Sequence, residues 1–488
     1  MIPIVKNRPT MTSKTTFTPP FAATTRRAVL GLAGSLVTSL ALLAGCATGP
    51  ALPSLEQAPP IVFVHGNGDT AALWQTTLWR FEANGWPTSR LHAIDVPYPS
   101  ARGNDAVAQP GTTSTAEHMA YLKSEVEAVL QRTGASKVVL FGNSRGGNAI
   151  RNYIQNGGGA ATVSHAILGG TPNHGVWAIK GFNEGNEFSG TGPFLTSLNA
   201  PKNANGDEVT GPVKWMTIRS DNNDKFAQPD GLWIGAKGTP TNVTAAGPEL
   251  KGALNVVIAR IDHRETSYSP AAFAAAYTFI TGKEAKAQMV PDQNLVLNGK
   301  ITGMGAKSDD PKTGNGFNNL SIPGASLEIY ATNAQTGARQ GAAVHSKATG
   351  ADGIWGPFTA TPGVPYEFVV TAPGYATTHI YRSGFAMGSN IIHLRPERIA
   401  EAEKTAQSIV TFFRPRGYFD AERDKLSFDG KTSGLPGVPP TGAGVASSKM
   451  LLPQANQRSI SAEFNGERVT GRTWPAAQNR VVVLEITQ

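Results

Sequence analysis

The sequence predicts an α/β protein in which a parallel sheet covered by helices precedes one or two smaller all-β modules. Between residues 60 and 282, short apolar runs alternate with stretches of helical periodicity, and after Gly282 apolar residues alternate with polar ones. The first pattern is typical of parallel strands joined by helices, and the second of antiparallel sheets. At 488 residues the chain exceeds one compact core, since a domain usually holds about 100–200 residues.

The first region contains strands and helices in turn. The opening run, Ile61-Val62-Phe63-Val64, is apolar throughout, as expected of a strand buried on both faces. Ser114 and Glu117 have capping-box spacing at the start of a helix that ends near Gly134. In chain order we predict strands at 61–64, 91–96, 138–141, 166–168, 215–218 and 256–258, and helices at 73–81, 114–134, 148–155 and 270–281.

The region after Gly282 is predicted to be β structure throughout. Alternating apolar residues and turns such as Asp352-Gly353 and Pro373-Gly374 predict an antiparallel module over residues 283–396. A Glu- and Ala-rich stretch at 397–405 marks a module boundary, and residues 397–488 are predicted to form a second β module. The chain therefore divides into a parallel-sheet domain at 60–282 and two β modules.

Charge and cysteine content exclude several classes of protein. Five of the 43 basic residues lie in the first 45 residues, which contain no acid, so the remaining chain has 38 bases against 35 acids. Such a balance leaves no basic stripe for binding nucleic acid. The single cysteine excludes a disulfide framework and any cysteine-based zinc site. We predict no cofactor and no metal.

The N-terminal segment is predicted to be an export signal. Arg26-Arg27 precede an uncharged apolar run at 28–44, too short for a membrane span, and the pair resembles a twin-arginine signal. Leu43-Ala44-Gly45-Cys46 resembles a lipobox, which implies a signal at 1–45, lipidation of Cys46 and a tether at 46–59. The alternative is a buried free cysteine after a general signal peptide. The first interpretation predicts a lipid-anchored envelope protein, and Ala47 favours the outer membrane; secretion is the other outcome.

The motif Gly142-Asn143-Ser144-Arg145-Gly146 carries the chemistry, because it lies between a predicted buried strand and a helix. A serine at such a sharp turn has strained backbone angles, and Gly142 and Gly146 remove side chains that would collide there. Ser144 would then be exposed at a helix N-terminus, whose dipole favours an oxyanion. A phosphate-binding loop is the alternative, but the P-loop lysine and a third glycine are missing.

A serine hydroxyl needs a base, and after this type of turn the partners follow in the order acid, then histidine. His263, just after a predicted strand, fits this order. The acid should follow the strand at 215–218, where both Asp221 and Asp224 qualify. His174 leaves too little chain before it for the acid, so its role is loop hydrogen bonding or lining of the site.

These residues resemble the secreted lipases of the α/β-hydrolase superfamily, in particular small bacterial lipases and an archaeal lipase with a C-terminal lipid-binding β domain. The resemblance covers residues 60–281 and rests on the serine motif, His65-Gly66-Asn67-Gly68, Asn84-Gly85-Trp86-Pro87, Leu168-Gly169-Gly170 and Asp224-Lys225-Phe226-Ala227-Gln228-Pro229. It implies Asp224 rather than Asp221 as the acid, and an oxyanion hole formed by the backbone amides of Asn67 and Arg145. Residues 294–395 resemble a carboxypeptidase-regulatory or transthyretin-like β-sandwich.

The sequence differs from this family beside the nucleophile. Asn143 and Arg145 stand where the family has histidine and methionine, and we expect the Arg145 cation beside the serine to alter substrate preference. The segment around Trp177 and Phe182 is predicted to be an apolar lid or a wall that binds the acyl chain. The alternative is an ordinary connecting segment that packs around its own small core. His65 and His174 are further candidates for substrate contact.

The predicted function is hydrolysis of an apolar carboxylic ester at a lipid or polymer surface, by an exported enzyme held to the membrane through its lipid anchor. Triacylglycerol is one substrate class, and an aliphatic polyester such as polyhydroxyalkanoate is the alternative. A different class of function is a cell-surface binding lipoprotein whose hydrolase domain is inert.

Overall fold

The computed structural model describes residues 55, 57–286, 288–303 and 318–488. The predicted export signal at 1–45, Cys46 and most of the predicted tether at 46–59 lie outside the described residues. In the described part of the chain, no helix combines the length and apolar character needed to cross a membrane.

The first region forms a six-stranded parallel sheet with helices on both faces, as predicted. Its strands are β1 (Ile61–Val64), β2 (Leu91–Ile94), β3 (Val138–Asn143), β4 (Val163–Gly169), β5 (Lys214–Ser220) and β8 (Leu254–Ile258), and a short hairpin, β6 (Asp230–Gly231) and β7 (Ala236–Pro240), precedes β8. Its helices are α1 (Gln75–Ala83), α2 (Thr115–Thr133), α3 (Arg145–Asn156), α4 (Pro193–Leu198), α5 (Glu265–Tyr268) and α6 (Pro270–Thr281). The strand order is β2-β1-β3-β4-β5-β8.

The apolar runs of the sequence form this sheet because both of its faces are covered. Val62 and Leu140 pack with α2 and α3 on one side. Phe63 and Phe141 face the other side, where they pack with Trp74 and the α6 helix. The predicted capping box also forms, since the Ser114 hydroxyl accepts the Glu117 N–H and the Glu117 carboxylate accepts the Ser114 N–H.

The second region consists of β strands, most of them in antiparallel pairs. They are β9 (Leu295–Leu297), β10 (Ser326–Ala331), β11 (His345–Ala348), β12 (Phe358–Ala360), β13 (Tyr366–Thr371), β14 (Thr377–Arg382), β15 (Ser408–Phe413), β16 (Leu426–Phe428), β17 (Ser447–Leu452), β18 (Ser459–Phe464), β19 (Glu467–Arg472) and β20 (Arg480–Glu485). Seven of them form one sheet in the order β11-β10-β13-β14-β20-β15-β17. The pairing of β14 with β20 is parallel and crosses the predicted boundary at 396/397, so the two predicted modules share a sheet.

The β region packs directly against the parallel-sheet domain. The Trp79 indole N–H donates to the Gly388 carbonyl (2.6 Å), and the Asp95 carboxylate accepts from His393 (2.8 Å) and Lys300 (3.3 Å). Burial alone would raise the pKa of Asp95, but His393 and Lys300 reverse this and hold the pKa well below its usual range. Asp95 therefore forms a charged anchor between the two regions.

Candidate active site

Ser144 lies at the sharp turn between β3 and α3. Its backbone φ is +52° and ψ is −120°, a conformation that a residue with a side chain rarely adopts. Ser144 N–H donates to the Gly169 carbonyl (2.8 Å), and its own carbonyl accepts from the Gly147 N–H (2.9 Å). These bonds on both sides hold the strained turn in place.

The two flanking glycines are required by close packing of the backbone. A Cβ at Gly146 would lie 2.3 Å from the Val64 carbonyl oxygen, and one at Gly142 would lie 2.7 Å from both the Gly147 nitrogen and the Ile150 Cδ1. Both distances are shorter than the closest approach of two non-bonded atoms. The turn can therefore fit against β1 and α3 only with glycine at these two positions.

His263 lies on the turn between β8 and α5, and its ring is held by Asp224. Nδ1 lies 2.8 Å from Asp224 Oδ2, and both side chains are buried. The other carboxylate oxygen, Oδ1, accepts the backbone N–H of Phe226 (2.8 Å), whose ring packs edge-on against the imidazole with 4.6 Å between ring centroids. Because Nδ1 is paired with Asp224, Nε2 is the ring nitrogen that can accept a proton from another group.

Ser144 and His263 line one cavity of about 230 Å³. Asn67, at the carboxyl end of β1, also lines it, and its side chain accepts the Ala101 N–H (2.7 Å) to fix the loop. Arg145 is the first residue of α3, so its backbone N–H is at a helix N-terminus without an intrahelical partner. The cavity thus combines a hydroxyl, an imidazole backed by a carboxylate, and a helix N-terminus.

Two family models match this chain. Residues 58–209 match the model described as lipase (class 2), which includes the serine turn, and residues 293–399 match the model described as lipase C-terminal domain. The two segments together cover slightly more than half of the chain. This chain is an α/β-hydrolase lipase with a C-terminal domain.

The lipase is also similar to several solved structures. Aspergillus fumigatus lipase B is 15% identical, with 48% of this chain and 55% of that chain covered and a TM-score of 0.32. The mature form of Bacillus licheniformis lipase BlEst2 is 20% identical, with 47% of this chain and 93% of that chain covered and a TM-score of 0.31. Its propeptide form is 13% identical, with 87% of this chain and 95% of that chain covered and a TM-score of 0.34. The lipase thus spans about half the length of the Aspergillus chain. Comparison with curated proteins gave no match.

The expectation that the Arg145 cation lies beside the substrate is corrected by the structure. The guanidinium is fully buried and points away from the cavity, where it pairs with both oxygens of Glu187 at 2.8–2.9 Å. It also donates to the carbonyls of Pro99 and Thr113. Burial raises the pKa of Glu187, and Arg145 counteracts that rise. Arg145 therefore ties the loop carrying Glu187 to the start of α3.

Replacing Arg145 with methionine should destabilise the lipase by about 3–5 kcal/mol, because Glu187 would remain buried without its partner. The double variant Arg145→Met with Glu187→Leu should recover most of this loss. Arg219→Met is the matched control, since its partner Glu249 is 60% exposed, and should cost no more than about 1 kcal/mol. Urea unfolding measures all three, and equal losses for Arg145→Met and Arg219→Met would contradict the assignment.

The expected substrate contact of His65 is also corrected. His65 is fully buried: Nε2 accepts the Val96 N–H (3.0 Å), so Nδ1 carries the proton and donates to the Gly66 carbonyl (2.9 Å). Burial lowers the pKa of this imidazole, which keeps it neutral. His174 Nε2 lies 2.8 Å from Glu208 Oε1, and His174 lines a second cavity of about 80 Å³ that Asp224 and His263 also line. His65 therefore supports the loop after β1, whereas the lining of the site by His174 stays a prediction.

The apolar wall predicted at Trp177 and Phe182 is present in part. Trp177 lines the cavity. Phe182 is 36% exposed and does not line it, but its ring packs against Trp177 with 6.0 Å between ring centroids. Sequence reasoning missed Trp233 and Tyr418, which also line the cavity. Trp233 follows β6 in an apolar Leu-Trp-Ile stretch bounded by glycines, which was a usable signal. Tyr418 comes from the β region, and no local pattern pointed to it.

Among the residues that the structure describes, the side chains around the site form no metal-binding cluster. Across the described residues, no group of three or more histidine, cysteine, aspartate or glutamate side chains is close enough together to bind one. The side chains that line the cavity can instead supply a nucleophile and a base.

Proposed function

We propose that the lipase hydrolyses apolar carboxylic esters through a covalent intermediate on Ser144. The observation that carries this proposal is that Ser144, on its strained turn, lines the same cavity as His263, whose ring is backed by Asp224 at 2.8 Å. In this mechanism His263 Nε2 removes the serine proton as the serine oxygen attacks the ester carbonyl. Asp224 fixes the ring tautomer and stabilises the imidazolium.

The tetrahedral intermediate is stabilised by the backbone N–H groups of Asn67 and Arg145. His263 then gives its proton to the departing alcohol, which leaves an acyl group on Ser144. A water molecule, deprotonated by the same ring, attacks this acyl group and releases the acid, and the proton returns to the serine. The fixed amide dipoles need no reorganisation as charge develops, and such stabilisation is usually the largest contribution to the rate.

The lining of the cavity supports an apolar substrate. Val176, Trp177, Phe188, Phe226, Trp233 and Ile234 provide apolar or aromatic surface. Its volume of about 230 Å³ is below the roughly 300–1,000 Å³ of pockets that enclose a whole drug-sized ligand, so the cavity suits a single acyl chain. The rest of a triacylglycerol would remain at the lipid surface. We further propose export and anchoring through lipidated Cys46, because Arg26-Arg27 precede an apolar run that ends in a lipobox-like sequence.

A fluorophosphonate probe and a substrate panel test this function. The probe should label Ser144, located by peptide mass spectrometry, and the enzyme should hydrolyse emulsified triacylglycerol faster than a polyhydroxyalkanoate film. Faster hydrolysis of the film would favour the polyester as substrate. A folded protein that neither takes the label nor hydrolyses any ester would contradict the proposal and favour an inert binding lipoprotein.

A further inference from the structure

Tyr418 comes from a part of the chain that neither family model covers, yet it lines the cavity with Ser144. It lies between β15 and β16, beyond residue 399, where the lipase C-terminal domain match ends. Its side chain is buried, with 8% of its surface exposed. The cavity is therefore built by two distant parts of the chain, and it lacks a wall without the terminal one.

The backbone of Tyr418 is fixed beside the histidine loop. Its N–H donates to Asp262 Oδ2 (2.7 Å), and its carbonyl accepts from the Arg414 guanidinium. Arg414 also donates to Asp262 Oδ2 (2.9 Å), while Asp262 Oδ1 accepts the Arg264 N–H (2.8 Å). Asp262 directly precedes His263, so these bonds tie Tyr418 to the loop that carries the imidazole. Its position relative to the site is rigidly set.

The ring of Tyr418 belongs to an aromatic wall organised by one ammonium group. Lys225 Nζ lies 3.9 Å from the centroid of the Tyr418 ring, 4.8 Å from that of Trp233 and 4.9 Å from that of Phe226. All three of these rings line the cavity. Lys225 also donates to the Gly444 carbonyl of the β region (2.9 Å). Cation–π attraction thus joins rings from both parts of the chain into one wall.

Burial has opposite effects on the two groups of this pair. It raises the pKa of the Tyr418 hydroxyl to about 12, so the ring stays neutral at physiological pH. It lowers the pKa of Lys225 to about 8, since few water molecules solvate the ammonium. The neutral Tyr418 ring lines the cavity and provides aromatic surface there, which suits contact with a hydrocarbon chain.

We propose that Tyr418 is a specificity-determining residue whose ring limits the length of acyl chain that the cavity accepts. This inference rests on the proposed function, because it concerns the substrate of the same site. It gives the terminal β segment a direct part in substrate selection, in addition to its packing against the histidine loop.

The test compares Tyr418→Ala, Tyr418→Trp and Tyr418→Phe on p-nitrophenyl butyrate and p-nitrophenyl decanoate. Removing the ring should raise the ratio of kcat/KM for decanoate over butyrate about tenfold. A difference of one methylene group in an apolar pocket already changes kcat/KM by about this factor. The larger tryptophan should lower the ratio by a similar factor. Phenylalanine keeps the ring and should keep the wild-type ratio.

A ratio within twofold of wild type for both Tyr418→Ala and Tyr418→Trp would overturn the inference. If activity on both esters also fell equally, Tyr418 would only support the loop. Tyr330→Ala is the matched control, because Tyr330 also lies under a cation, with Arg339 Cζ 3.6 Å from its ring centroid, but does not line the cavity. Ser144→Ala, assayed in parallel, separates the two proposals, since full activity there would refute the proposed function itself.

Discussion

Ser144→Ala is expected to lower kcat for ester hydrolysis by at least about 10⁴-fold, because removal of a catalytic serine leaves only the catalysis due to binding and oxyanion stabilisation. The substitution deletes one oxygen atom, and KM should change little because that oxygen acts in bond formation rather than in substrate binding. Steady-state hydrolysis of p-nitrophenyl butyrate measures both constants. Fluorophosphonate labelling should disappear in the same variant.

Ser197→Ala is the matched control for this experiment. Ser197 lies exposed on α4, so the same chemical change there should leave kcat and labelling at wild-type levels. Circular dichroism would establish that both variants are folded. If Ser144→Ala kept its rate within about tenfold of wild type, Ser144 would not be the nucleophile, since loss of a nucleophile costs several further orders of magnitude.

The parts of the site that depend on neighbouring residues could be predicted from the sequence. The strand before Ser144, the two glycines around it and the helix after it lie within a short stretch, so a local pattern encodes the whole turn. The six parallel strands were predicted for the same reason, because each is an apolar run bounded by turns or helices. Local patterns succeed where the structural requirement is also local.

The orientation of Arg145 could not be predicted in this way. Its backbone lies next to Ser144, which suggested a cation in the substrate site, but its side chain points behind the turn. There it pairs with Glu187, 42 residues further along the chain. A buried ion pair of this kind depends on where a distant loop folds, and no periodicity of either segment encodes that position.

Tyr418 illustrates the same limit on a larger scale. It follows a strand of the seven-stranded sheet, and its place in the cavity depends on how that sheet packs against the parallel-sheet domain. The contacts that fix this packing, such as Arg414 with Asp262 and Trp79 with Gly388, join residues more than 150 positions apart. Sequence reasoning could predict each region but not the surface where they meet.

Asp224→Asn is expected to lower kcat about 10⁴-fold, as amide replacement of the acid does in serine hydrolases that use this arrangement. The structure gives the physical reason. The backbone N–H of Phe226 donates to Asp224 Oδ1, so an asparagine would place its carbonyl oxygen there and turn its NH₂ group towards His263. That NH₂ would donate to Nδ1 and force the ring proton onto Nε2. The imidazole could then no longer accept the proton of Ser144.

Asp221→Asn is the matched control, because sequence spacing alone leaves Asp221 and Asp224 equivalent as candidates for the acid. Asp221 Oδ1 accepts the Arg260 N–H (3.0 Å) and the Ser220 hydroxyl (3.2 Å), and an asparagine carbonyl can accept the same bonds. We therefore expect its kcat to stay within a few-fold of wild type, with KM unchanged. A large loss in Asp221→Asn and near-normal turnover in Asp224→Asn would reverse the assignment. Similar small losses in both would mean that neither carboxylate sets the tautomer of His263.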